Sequence, residues 1–295
     1  MNNLKYYVLM IFATILFAGA FIAGKLGTGS FSPVVMTFLR ITLATIIIFP
    51  VMIIKEKEFK ATKEELILAL KLGFIGMTCY HLFFFSALKY TTASNASVIN
   101  ASMPILTAII AVFMLKEKLP LKKMIFIGSA FVGVVLTIIN WDLNSLINME
   151  FNKGDIIMLC GTVSWSIYGV LIKKSKVEIS SLKLMSYTLL MCVLIVSPFA
   201  IREIILNDSL NVPLKDYYSI IYMAIFPTVI GYTIQQACIK KLGPSTAALF
   251  INLVPIFSII LSVIFLNEGI NPLTYISGLI IIVSVVLFTK VRTSY

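Results

Sequence analysis

The chain reads as a series of long apolar runs separated by short polar joints. Ten runs recur, over residues 6–24, 34–54, 66–88, 92–115, 121–139, 155–173, 182–201, 217–239, 244–266 and 273–290. Each is close to the roughly 20 residues that an α-helix needs to cross a hydrocarbon core of about 30 Å. The runs are continuously apolar and lack the two-residue alternation of barrel strands, so they are expected as helices. No joint is long enough for a soluble domain. The first run follows Lys5 and contains Ala18-Gly19-Ala20, which is similar to a signal cleavage site. It continues apolar to Gly24 and is read as a spanning helix instead.

Placing the basic residues on alternate sides of these runs gives an orientation. With the N-terminus inside, the inner set is Lys5, Lys55, Lys57, Lys60, Lys63, Lys116, Lys118, Lys122, Lys123, Lys173, Lys174, Lys176, Lys183, Lys240, Lys241, Lys290 and Arg292. The outer set is only Lys25, Lys89, Lys153, Arg202 and Lys215. Such a bias puts both termini in the cytoplasm and favours an even number of helices. The net charge of +11 is therefore an orientation signal and gives no support to nucleic-acid binding. A composition of 59% hydrophobic and 13% charged residues excludes a soluble globule. Cys79, Cys160, Cys192 and Cys238 all fall inside apolar runs and read as small buried hydrophobes. Lys outnumbering Arg, with abundant Ile and Asn, points to an AT-rich bacterial genome and hence an inner (cytoplasmic) membrane.

The chain also repeats itself. Lys89, Ser94, Pro104 and Glu117 recur as Lys240, Ser245, Pro255 and Glu268, each 151 residues on, and Ala96, Ile105, Ile109, Val112 and Leu115 recur in the same register. Five helices per copy is an odd number, so the second copy enters the bilayer from the opposite side. Inverted repeats of this kind recur in secondary transporters.

The stretch ALKYTTASNASVINASMPILTAIIAVFMLKEKL and its copy ACIKKLGPSTAALFINLVPIFSIILSVIFLNEGI, with FLR ending at Arg40 and GDIIMLCGTVSWSIYGV in helix 6, resemble the drug/metabolite transporter superfamily. The similarity is specifically to ten-helix EamA-type transporters with two tandem EamA domains. It implies an all-α integral membrane protein of ten transmembrane helices, arranged as two inverted five-helix repeats around a central cavity. Residues 1–140 form the first repeat, 141–154 an external linker and 155–295 the second. Phe17 departs from the family pattern, which often has a tryptophan in helix 1; Trp165 holds the corresponding place in the second half. The resemblance implies alternating access and small metabolites as cargo, amino acids among them, without naming one.

Candidate contacts are few. All thirteen acids lie in loops or at helix ends, so no mid-membrane carboxylate offers a proton relay or a cation site. Proton coupling then falls to His81, well inside helix 3, where substrate contact and a satisfied buried imidazole are both open readings. Tyr80 lies on an adjacent face. Helix 6 places Ser164, Trp165 and Tyr168 close together, and helix 8 does the same with Thr228, Tyr232, Gln235 and Gln236, Tyr232 being the repeat equivalent of His81. This mixture of rings and amides suits a polar or zwitterionic molecule with an apolar side group, although Trp and Tyr are also common interfacial anchors. Asn100 and Asn252 precede the aligned prolines but are offset by one residue, about 100° of helix rotation. Substrate binding and inter-helix hydrogen bonding are open for both. The two prolines read either as hinges or as shapes for packing.

Arg40 enters helix 2 with its Cα roughly 9 Å from the outer end. It either snorkels to that surface or meets a substrate carboxylate. Lys25 and Lys173 read as interfacial anchors.

The sequence has no HExxH, no metal-spaced cluster and no GxxxxGK[ST] loop. Neither an enzyme, a metal, a cofactor nor ATP hydrolysis is expected. The expected protein exports an amino acid or related compound, in the bilayer, as a monomer or weak homodimer. The alternatives are a lipid flippase, which needs a lateral groove, and an intramembrane enzyme.

Overall fold

The computed structural model describes residues 3–57, 60–116, 120–138, 141–142, 152–207, 210–235, 238, 250, 253–269 and 272–291. Within them the chain is helical and contains no strand: α1 (Asn3–Gly27), α2 (Pro33–Glu56), α3 (Lys63–Tyr90), α4 (Ala93–Leu115), α5 (Leu121–Ile138), α6 (Lys153–Lys174), α7 (Ser181–Asn207), α8 (Leu214–Gln235), α9 (Val254–Leu266) and α10 (Pro272–Lys290). Seven of these, α1 to α4 and α6 to α8, are long and apolar enough to cross a membrane. Large apolar side chains such as Phe113, Phe131, Phe199 and Phe265 are mostly exposed, as they must be where the solvent is hydrocarbon.

Local chemistry sets the helix starts. Ser32 accepts from the Val35 amide ahead of α2, with Pro33 in the first turn. Thr62 and Glu65 form a reciprocal capping box at α3. Thr92 caps α4 and Asn152 caps α6. Pro104 and Pro255 each stand second in a new helical segment, Met103–Leu115 and Val254–Leu266. There a missing N–H leaves no hydrogen bond unmade. In α4 the segment follows a break at Ala101 and Ser102, so Pro104 restarts a helix and does not kink a continuous one. α7 extends beyond the expected residue 201 to Asn207 because IREIILN contains no breaker.

The 151-residue spacing reappears in the backbone. A wide π-helical turn opens at Gly73 in α3 and at Ala224 in α8. Met103–Leu115 and Val254–Leu266 end in the left-handed residues Lys116 (φ 57°) and Asn267 (φ 51°). The packing follows the same exchange: α1 lies on α8 and α9 as α6 lies on α3 and α4. Likewise α2 meets α8 as α7 meets α3, while α2 pairs with α7 and α5 with α10.

The α3–α4 joint is tied to three other helices. Lys25 Nζ donates to the carbonyls of Leu88 and Thr91, both at 2.7 Å. Asn152 Nδ2 donates to Tyr90 O at 3.1 Å, the Thr91 hydroxyl donates to the buried Asp155 carboxylate, and Glu268 accepts from the Ala93 amide at 2.9 Å and the Ser94 hydroxyl at 2.9 Å. Lys25 thus satisfies a helix C-terminus and Glu268 a helix N-terminus, the charges the two ends favour. Lys173's side chain and Glu117 lie outside the described residues.

Gly154 makes the close approach to this joint possible. A Cβ there would stand 2.7 Å from Thr91 N and 2.8 Å from Tyr90 C, backbone atoms that cannot step aside. Gly154→Ala is expected to destabilise the protein by about 1–3 kcal/mol. Gly169→Ala, which meets nothing within 4 Å, should leave stability unchanged or raised. Thermal unfolding in detergent checks both, and equal effects would count against the close packing. One expectation is corrected: Cys160 is exposed, one turn beyond the exposed Ile156 on the same face of α6, and Cys79 is only part-buried.

Candidate functional site

α2, α3, α6 and α8 bring the titratable and aromatic candidates into one cluster. Arg40 is 3% exposed and does not snorkel. Its Nε and Nη2 donate to Thr228 Oγ1 at 3.2 and 3.1 Å, Nη1 lies 3.8 Å from Met223 Sδ, and its Cζ is 5.9 Å from the Phe85 ring centroid. Thr228 passes its own proton to Met223 O at 2.8 Å, five residues back. That bond belongs to the widened turn of α8, which fixes the hydroxyl with its lone pairs toward Arg40. Among the described residues no carboxylate faces the guanidinium. It interacts electrostatically instead with Tyr80, Tyr232, Cys192 and His81.

His81 is fully buried one residue beyond the start of the post-π segment of α3. Nδ1 lies 2.6 Å from Met77 O, and since a carbonyl only accepts, Nδ1 carries the proton. Nε2 is buried with no hydrogen-bond partner among the described residues. Among the described residues no neighbouring helix bonds this imidazole; its own helix satisfies Nδ1.

The rings form a continuous wall. Trp165 is central, with centroids 4.7 Å from Tyr80, 4.9 Å from Tyr168, 5.8 Å from Tyr232 and 6.5 Å from His81. Phe17 extends the wall through Tyr232 at 5.5 Å. Tyr80, Trp165, Tyr168 and Tyr232 are half-buried. The α6–α3 seam that aligns them rests on Gly76, where a Cβ would fall 2.1 Å from the Tyr168 ring, and on Ser164 Oγ, which donates to Ile75 O at 2.5 Å.

Of the remaining candidates, Gln235 is half-buried three residues along α8 from Tyr232. Asn100 stands at the α4 break with its Oδ1 buried and unpartnered among the described residues. Asn252 and Gln236 lie outside the described residues. The sequence reading had missed Phe85 and Met223 as neighbours of Arg40 and Thr228 as its acceptor. Each depends on the widened turns, which apolar periodicity does not announce.

A second feature lies to the side. α4, α5 and α6 border a half-open lateral groove of about 930 Å³ lined by residues including Ile105, Ile109, Phe113, Phe131, Leu159 and Val163. Among the described residues, no group of three or more His, Cys, Asp or Glu side chains could hold a metal ion.

Long apolar helices with a buried, ring-walled polar centre define a multi-pass helical membrane protein with the kind of interior a carrier needs. The EamA-like transporter family matches residues 4–139 and again 152–290, and the chain belongs to that family. It is accordingly a membrane transporter of small molecules. An uncharacterized transporter of Bacillus subtilis (strain 168), YyaM, is 31% identical over 89% of this chain and 86% of its own length. An uncharacterized transporter of Archaeoglobus fulgidus is 27% identical over 97% and 98%. A probable amino-acid metabolite efflux pump of Escherichia coli (strain K12) is 23% identical over 93% and 91%. A crystal structure superposes with a TM-score of 0.64 at 18% identity over 97% of both chains, a likeness of fold alone.

Proposed function

We propose that the two matched segments are inverted five-helix halves of a ten-helix bundle, residues 1–140 and 155–295 joined by an external linker at 141–154. The bundle moves a small organic metabolite, an amino acid or related compound, out of the cell by alternating access. The 151-residue repeat of helix starts, π-turns and left-handed ends supports two copies of one unit, and the basic-residue bias supports the inversion, with both termini cytoplasmic in the inner membrane. Arg40, Tyr80, His81, Trp165, Tyr168 and Tyr232 form the binding site, with Asn100 and Gln235 at its margins; Asn252 stays a candidate from the sequence alone. The observation that carries this reading is the ring wall itself, built from α3 of one half and α6 and α8 of the other. A ligand seated there touches both halves, so their relative rocking can open it to either side.

The lateral groove favours a second reading, movement of a lipid. Among the described residues its lining holds no charge, so it accommodates an acyl chain better than a headgroup. The ring-walled centre therefore remains the preferred site. Counterflow in liposomes with a panel of labelled amino acids, nucleosides, sugars and a short-chain fluorescent phospholipid separates the two. Exchange of a water-soluble compound, lost on substitution of the ring residues, is expected. Exchange of the phospholipid alone would overturn the metabolite reading.

A further inference from the structure

The central site contains a fixed charge that no carboxylate among the described residues answers. Arg40 has five N–H donors, and among the described residues its contacts are one hydroxyl shared by two of them, one weakly accepting sulfur and the face of Phe85 at 5.9 Å. A guanidinium 3% exposed whose described partners are all neutral is unusual in any interior, since buried charges are ordinarily paired. Removing the residue's charge by titration is not open to it. Placing Arg40 here therefore has a purpose only if something anionic joins it for part of the transport cycle.

Three further observations say what that group is attached to. Tyr80 and Tyr232 both lie within electrostatic reach of the guanidinium and are half-buried, so aromatic side chains flank the charge. His81, also near Arg40, bonds Met77 O through Nδ1 and has a buried Nε2 without a partner among the described residues, an acceptor for one hydroxyl or ammonium hydrogen and not a competitor for the anion's place. Thr228 holds Nε and Nη2 from one side at 3.2 and 3.1 Å, which fixes the plane of the fork and leaves its other donors pre-aimed. A planar, pre-organised fork is matched to the two oxygens of a carboxylate.

Resting on the transporter reading above, we propose that Arg40 is the specificity-determining anchor of the central site, holding the carboxylate of a small organic acid or amino acid whose apolar body lies against Tyr80, Trp165 and Tyr232. Cargo recognition is by carboxylate first. An ammonium group is accommodated by His81 and the ring faces but does not substitute for the carboxylate, so amines and amides of the same skeleton are excluded.

The test uses matched pairs on the full chain reconstituted in liposomes: phenylalanine against phenylalaninamide, and 3-phenylpropionate against 3-phenylpropanamide, with phenethylamine as the cation. Binding is read by ligand-induced thermal shift and movement by counterflow. Both carboxylates should bind and exchange at least tenfold better than their amides, and phenethylamine should not exchange. Arg40→Gln should remove the difference within each pair while leaving the weak thermal shift given by the amides, which shows that the site is still folded. Arg40→Lys, which keeps the charge but not the fork, should retain part of the preference. If Arg40→Gln fails to fold, the selectivity of the unaltered protein decides alone. Amides or the amine matching the carboxylates would overturn the anchor while leaving the metabolite reading in place. Neither binding nor exchange of any of the five, alongside exchange of the fluorescent phospholipid, would overturn both.

Discussion

Lys183→Met is expected to cost the protein about 3–5 kcal/mol, the range found when one partner of a buried ion pair is removed and the other is left charged. Lys183 Nζ sits 3.1 Å from both Glu65 carboxylate oxygens, and each side chain is 8% exposed. The pair ties the first turn of α7 to the first turn of α3. Glu65 cannot turn away to water, because the same carboxylate accepts from the Thr62 amide at 2.7 Å in the capping box. The double variant Glu65→Gln/Lys183→Met should recover part of the loss, since Gln at that position still closes the box and neither member of this pair is left charged. The repeat supplies an internal control. Asp216, 151 residues beyond Glu65, accepts from Ser30 Oγ at 2.7 Å in exposed surroundings, and Ser30→Ala should change stability by no more than about 0.5 kcal/mol. Denaturant unfolding in micelles measures all three. A single-variant loss below about 1 kcal/mol would mean that water reaches the pair and that α3 and α7 are held mainly by their apolar seam.

The helical class and the repeat were legible from the residues because both rest on properties one chain displays openly: run length and fixed spacing. Pro104 with Pro255 and Glu117 with Glu268 announced a register that the backbone repeats at Gly73 and Ala224 and at Lys116 and Asn267. The roles of individual residues were less legible. Snorkelling and burial predict the same sequence for Arg40, and only the position of Thr228 decides between them. That position depends on a π-turn, an extra residue in one turn of helix, which re-aims every side chain beyond it by most of a step. Lys25 likewise looked like an interfacial anchor because sequence shows how far a lysine is from a helix end but not whose carbonyls it finds there. The half-satisfied state of His81 was beyond reach for the same reason: Met77 O is four residues back on its own helix, a bond that any helical histidine can make or decline.

Trp165→Ala should reduce exchange of a transported compound by more than tenfold while costing less stability than a fully enclosed tryptophan, for which truncation costs about 3–5 kcal/mol. The two quantities separate because Trp165 has two kinds of surface. One face is in contact with Tyr80, Tyr168 and Tyr232 at centroid distances of 4.7, 4.9 and 5.8 Å, and losing it leaves a void that neighbouring rings partly fill. Trp165 is half-buried; its uncovered part contributes little to stability in the unliganded protein, yet it is the surface a cargo's apolar body would stack on. Trp165→Phe should restore most of the stability, since a smaller ring still bridges α3 and α8, but only part of the exchange. Unfolding and counterflow measured on the same preparations give the comparison directly. If exchange falls only in proportion to the folded protein remaining, Trp165 is packing alone, and the ligand surface must be sought on Tyr80, Tyr168 and Tyr232.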